Sequence, residues 1–286
     1  MSGVPWILPA LVVSAGVVYY CIGYTGWIST LRWDGISPDR TWVGLGNYAR
    51  LFQDPVFWKS MEHTGVFFVV TTTAQILLGM AFAALLHSRL RLAVLYKVAV
   101  FVPVVLAPAT MAPVFRQIYA PDGQFNKILD AVGLHDLTMA WLAKPATALA
   151  VVMSIQVWQS VGVAFILYFA AMGQIETEVL EAARMDGAGN LRVLRSIIWP
   201  GVRGTTLALI TLSAIASLKT FDVPYLVTSG GPSYGTEFLG TFIYRMSIPQ
   251  SEVGYGAAIS VMLLILALGT AIVFNAGGRD KEIRRV

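Results

Sequence analysis

Residues 145–175 read PATALAVVMSIQVWQSVGVAFILYFAAMGQI, 31 positions without one charged side chain. A bilayer core about 30 Å thick needs roughly 20 apolar helical residues to cross it, because backbone groups in lipid must be paired within the segment. The same reading extends outward along the chain. Residues 1–31, 63–88, 98–115 and 253–278 are also free of charge. The apolar stretch 204–228 carries only Lys219 and Asp222, near its end. Six spans follow, expected near 6–28, 64–87, 94–117, 146–171, 205–227 and 254–276. Buried helices of a soluble protein would show a polar face, and these mostly do not. Pro103, Pro108 and Pro113 interrupt the third span and predict a kink there.

Composition agrees. The 286 residues are 56% hydrophobic and 13% charged, with a mean hydropathy of +0.68. A soluble domain carries about 25% charged residues. So little charge excludes a water-soluble enzyme, a disordered chain and a secreted disulfide scaffold, and Cys21 alone can form no internal bridge. The net charge of +4 reads as basic loops beside membrane lipid rather than as a nucleic-acid surface. The fold expected is an all-α integral membrane protein of one domain, residues 1–286. The first span lacks a basic flank and is too long for a leader's apolar core, so it reads as a retained helix. The missing flank leaves an upstream start open.

Six spans put both ends on one side, and lysine and arginine choose it. The side holding both termini, 88–97, 172–204 and 277–286 carries 11 basic and 6 acidic residues, among them Arg89, Arg91, Arg184, Arg192, Arg195, Arg203, Arg279 and Arg285. The other side has a net charge of −1 over longer segments. Both termini are therefore expected in the cytoplasm of a bacterial-type cell. The outer segments 29–63, 118–145 and 228–253 hold turn formers and interfacial tryptophans such as Trp33, Trp42, Trp58 and Trp141.

The longest cytoplasmic loop, 173–203, reads as two short amphipathic helices about a corner. Thr177 is the expected N-cap of the first helix and Asn190 of the second. Gly187 and Gly189 end the first in a left-handed turn. Leu191, Leu194 and Ile198 form one apolar stripe, and Pro200 stops the helix before span five. One apolar stripe per helix on a polar loop suggests a docking surface, the alternative being a helix lying on lipid.

Glu181-Ala182-Ala183, three residues, Gly187, nine residues and then Ile197-x-x-Pro200 resembles the EAA loop of ABC-importer permeases, and Met185-Asp186-Gly187-Ala188 strengthens the match. Val43-Gly44-Leu45-Gly46-Asn47-Tyr48, Asp54-Pro55-Val56-Phe57-Trp58, Phe221-Asp222, Leu226 to Pro232 and Tyr244-Arg245 resemble the carbohydrate branch, the maltose and glycerol-3-phosphate type, and its first permease more than its second. The likeness covers nearly the whole chain. Glu176 stands near where the family often has proline, and Trp199 where leucine is usual. The resemblance implies a second homologous permease subunit, two ATP-binding subunits that use ATP and Mg, and an extracytoplasmic solute-binding protein. Glu181 would pair with a basic residue of the ATPase, and Gly187 would let the two loop helices fold closely. Ala182, Ala183, Asp186 and Pro200 complete the expected coupling motif.

Polar residues inside spans are costly unless they face a cavity or a partner. Ser213, Ser217 and Thr220 share one face of span five at spacings of four and three. Gln156, Gln159 and Ser160 share a face of span four. The resemblance places Gln159, Ser160, Ser213, Ser217 and Thr220 near positions that line the sugar site of the maltose-type relative. Sugars need hydroxyl and amide partners and an apolar plate, a role open to Trp158 although it points away from Gln159 on an ideal helix. Small hydroxyls can instead simply pack helices. Thr71, Thr72, Thr73 and Gln75 of span two can line the path or bond backbone carbonyls, the second being expected, and Lys219 and Asp222, three apart, can pair on the helix surface and are expected at the outer interface.

No G-x-x-x-x-G-K-[ST] occurs, and His63, His87 and His135 are scattered, so neither ATP hydrolysis nor a metal centre is expected in this chain. An importer for a glycerophosphodiester or polyol stands as an alternative, but a phosphate-bearing solute would favour cations in the path and only Lys219 is available. An ion-coupled secondary carrier would need buried acids, and only Asp222 qualifies. An intramembrane enzyme would need a nucleophile and base in register, which the chain does not offer.

Overall fold

The computed structural model describes residues 4–87 and 93–283, with side chains described over 6–86 and 93–274. Arg89, Arg91, Arg279 and Arg285 of the charge reading have side chains outside the described residues.

Helices dominate because every apolar run must satisfy its backbone within itself. Four are long and apolar enough to cross a membrane: α1 Val4–Ile28, α3 Pro55–His87, α7 Pro145–Met172 and α14 Val253–Ile283. Between α1 and α3 a two-stranded ribbon, β1 Leu31–Arg32 with β2 Thr41–Trp42, leads into the amphipathic α2 Gly46–Gln53. Asn47 locks that ribbon by donating from Nδ2 to the carbonyls of Ser29 and Leu31 at 2.8 and 2.9 Å.

The other two expected spans are broken. In place of one kinked helix over 94–117, α4 Ala93–Val105 and α5 Pro108–Ile118 meet at 101°. The break falls at Pro108, which forces Ala107 into extended backbone (ψ 136°); Pro103 and Pro113 ride inside helices. In the span expected over 205–227, α11 Arg203–Leu218 stops, and α12 Asp222–Thr228 begins after a three-residue turn. Lys219 and Asp222 therefore do not share a helix, and no ion pair joins them among the described residues. An α6 at Gln124–Ala131 and an α13 at Leu239–Ser247 add short helices in segments expected to be turns.

The 173–203 loop forms α8 Thr177–Met185, then α9 Asn190–Val193, a π-helical turn Leu194–Ile198 and α10 Trp199–Gly201, with a 67° bend into α11. Gly187 takes a φ of +79°, and the Gly187 and Ala188 amides reach the carbonyls of Arg184 and Ala183, both at 3.0 Å. That is the left-handed helix stop expected at Gly187. Gly189, at φ −68°, is extended and caps α9, so Asn190 is its first residue. Glu176 likewise takes the cap expected of Thr177. Pro200 does not end the helix. Having no N–H to offer, it sits just beyond the widened π turn, and the bend comes two residues later at Val202.

Three buried clusters stack through the bundle. Ile76, Met80, Phe165, Tyr168 and Leu209 join α3, α7 and α11. Phe67, Val152, Ile155, Val223 and Phe238 join α3, α7, α12 and the outer segment. Leu51, Phe57, Phe242 and Ile259 join α2, α3, α13 and α14. In lipid the gain is close packing rather than exclusion of water. Gly79 shows it: a Cβ there would stand 2.6 Å from that of Ala164, so only glycine lets α3 and α7 approach this closely.

Outside the spans, Glu237 is fully buried between α12 and α13. Its Oε2 meets Arg245, whose guanidinium also donates to the Ser229 carbonyl at 3.2 Å and lies over the Tyr234 ring. Burial pushes the Glu237 carboxyl up to about 7, against the downward pull of Arg245.

Candidate functional site

The two broken spans leave a cavity of about 320 Å³ where α3, α5, α7, α11 and α12 converge. It lies at mid-depth, because Thr71, Gln159 and Ser213 all fall near the middle of their apolar runs.

Of the expected residues, Gln159, Ser160, Ser213, Ser217 and Thr220 all line this cavity. Gln156 Nε2 donates to Ser160 Oγ at 2.7 Å, and Gln159 Nε2 donates to the Leu106 carbonyl at 3.1 Å. Leu106 lies in the α4–α5 break, so Gln159 fills a bond the interrupted helix cannot make. Ser217 Oγ donates to the Ser213 carbonyl at 2.7 Å, and Thr220 Oγ1 to the Ala216 carbonyl at 3.2 Å. Hydroxyls bonded in this way keep their lone pairs for a further donor. Thr220 lies past the end of α11, yet it still faces the cavity.

Trp158 does not join them. It points to the other side of α7 and meets Phe115 of α5 edge-on, with ring centroids 5.0 Å apart. The helical period decides this, since neighbours at i and i+1 diverge by about 100°. The aromatic surface in the cavity comes from Phe67 and Phe221 instead. Phe221 stacks on Tyr225 at 5.0 Å, and Tyr244 closes the trio.

Thr71 and Gln75 also line the cavity. Thr71 Oγ1 donates to the Phe67 carbonyl at 2.7 Å, the backbone bond expected of it. Gln75 makes no such bond among the described residues, so its amide is free toward the space. Their spacing of four was the signal in the sequence. Lys219 and Asp222, both exposed, are the cavity's only charged lining residues. Amide, hydroxyl, aromatic face and one charge of each sign suit a polar, uncharged solute.

Of the coupling motif, Glu181, Ala182, Asp186, Gly187 and Pro200 are exposed and Ala183 half-buried. Leu180 and Val193 are the buried residues of the two arms, and Leu194 and Ile198 pack against the cluster of Ile76, Met80 and Tyr168. Glu181 and Asp186 hold no salt bridge among the described residues.

Residues 75–277 match the family model described as binding-protein-dependent transport system inner membrane component. A probable ABC transporter permease protein, YurN, of Bacillus subtilis is 33% identical over 94% of this chain and 92% of its own length. The diacetylchitobiose uptake system permease protein NgcF of Streptomyces coelicolor is 32% identical, covering 88% and 76%. The trehalose/maltose transport system permease protein MalF of Thermococcus litoralis is 29% identical, covering 96% and 93%. In fold, the chain superposes on a bacterial ABC transporter involved in import of the acidic polysaccharide alginate, with a TM-score of 0.79 and 20% identity over 96% of each chain. The match runs from Gln75 within α3 into α14, across most of the helices that enclose the cavity and the Gly187 corner, and so the chain belongs to the family of binding-protein-dependent transport system inner membrane components, the multi-pass permease subunits of ABC importers.

Proposed function

We propose that this chain forms half of the translocation path of an ATP-driven importer for a sugar or oligosaccharide. One observation carries the solute class: the mid-depth cavity presents Gln75, Gln159, Ser160, Ser213 and Ser217 beside the Phe221 ring, with one cation and one anion at its edge. Hydroxyl-rich solutes are recognised by such amide and hydroxyl groups, whereas a phosphate-bearing cargo would call for more cations. The names of the NgcF and MalF relatives point the same way. A second homologous permease would complete the path, and a solute-binding protein would deliver cargo from outside. Two ATPase subunits, holding ATP and Mg, would grip α8 through Glu181 and the Gly187 corner. Both termini and this loop would face the cytoplasm.

The test is uptake of a panel of labelled mono- and oligosaccharides by vesicles containing the whole transporter, alongside copurification of partners. At least one sugar should accumulate only with ATP inside, and an ATPase should copurify with the chain. Accumulation of a glycerophosphodiester but no sugar would overturn the cargo, and ATP-independent uptake would overturn the coupling.

A further inference from the structure

A groove of about 440 Å³ opens between α3 and the arm that runs from Gly189 through the π turn to α10. Leu77, Met80 and Ala81 form one wall, Leu191 and Trp199 the other, and Arg195 stands among them as the one charged lining residue. Leu77 belongs to the charge-free run of α3 and is 56% exposed in this chain. Ten residues separate it from His87 at the end of α3. That is about 15 Å of helix, the depth of one leaflet of a core about 30 Å thick.

The charge on this arm is one-sided. Glu176, Glu178, Glu181 and Asp186 all lie on the α8 side of the corner, whereas from Gly187 to Arg203 the only charged residues are Arg192, Arg195 and Arg203. Arg195 makes no hydrogen bond or ion pair with any described residue. Trp199 beside it is 41% exposed, and tryptophan is favoured at membrane interfaces. An apolar slot over residues 77–81, about 6 Å of helix, with an unpaired guanidinium in its lining matches an anion that carries a hydrocarbon tail. A guanidinium grips phosphate oxygens in pairs, and an anionic surface attracts each nearby arginine by about 1 kcal/mol.

We propose that this groove binds an anionic phospholipid of the adjoining leaflet. One acyl chain lies between Leu77, Met80 and Leu191, and the phosphate lies on Arg195. The lipid then braces the π turn against α3, at the root of the loop that α8 terminates. The inference rests on the spans and on this arm, not on the cargo.

The test uses the complete transporter in phosphatidylcholine vesicles doped with a phosphatidylglycerol whose acyl chain carries a photoreactive diazirine. A phosphatidylcholine with the same diazirine serves as the second arm. Peptide mapping should place phosphatidylglycerol adducts on 77–81 and 191–199, in excess over phosphatidylcholine adducts. Arg195→Gln should cut that labelling roughly tenfold, and Arg195→Lys should retain most of it. Ala81→Trp, which fills the slot and leaves the charge, should also abolish it, and it decides the matter if Arg195→Gln does not assemble. Equal labelling by both lipids, labelling indifferent to Arg195→Gln and Ala81→Trp, or no adducts because a neighbouring protein fills the groove would each overturn the proposal.

Discussion

Ser217 and Gln159 reach the same cavity with opposite commitments. The Ser217 hydroxyl is tied to its own helix at 2.7 Å, while the Gln159 amide spans to a carbonyl of the α4–α5 break. Ser217→Ala should therefore leave assembly intact and raise the uptake KM roughly fivefold, the loss of about 1 kcal/mol. Gln159→Ala should also loosen the break and lower thermal stability by about 1–2 kcal/mol. Unchanged uptake kinetics in both variants would remove these residues from the path. Glu237 gives a pH signature. Its carboxyl rises from 4.5 to about 7 on folding, so between those values the folded state keeps a proton that the unfolded state has lost. Its contribution to stability is full below pH 4.5, declines as pH rises toward 7 and is flat above. Thermal unfolding across that window should slope downward in the parent relative to Glu237→Gln, and identical pH profiles would refute it. The polar residues of the cavity were legible because a serine or glutamine inside a span stands out. Trp158 suited the plate by its chemistry, but the helical phase that already turned it from Gln159 keeps it out of the cavity. Gln75 was grouped with threonines expected to bond the backbone, yet only Thr71 does so among the described residues, and the buried Thr72 hydroxyl has no partner.

At the scale of elements, the long spans were legible and the breaks were not. Charge-free length identifies α3, α7 and α14 to within a turn or so at most ends, since lipid tolerates nothing else there. Three prolines foretold a bend between 98 and 115, but only Pro108 makes it. A proline's effect depends on whether neighbours absorb the lost bond, and that is a tertiary property. The α11–α12 break carries no proline at all and was invisible. The corner glycine was plain in the sequence, and a prediction follows. Gly187→Val leaves the position uncrowded, because a Cβ there would meet nothing within 4 Å. It still forces a branched residue to φ +79°, at a cost of about 1–3 kcal/mol. The bundle should stay inserted while ATP hydrolysis, measured beside uptake in the same vesicles, no longer drives transport. Normal coupling in this variant would mean that the loop does not transmit the stroke.

The whole molecule has a sidedness that the charge count proposes and chemistry can read. With Cys21 replaced by serine, single cysteines at Ile36 and Met185, which are 87% and 88% exposed, should react with a membrane-impermeant maleimide from opposite sides. Ile36→Cys is expected to label on intact cells, and Met185→Cys only after lysis. The reverse pattern would invert the topology. One feature of α1 bears on the fate of the chain in the cell. Between Trp6 and Tyr24 every side chain except Ala15 is exposed, and the helix joins its own bundle mainly beyond that stretch, where Ile28 and Ser29 are buried. A copy synthesised in excess would thus trail a long greasy arm fastened at one end.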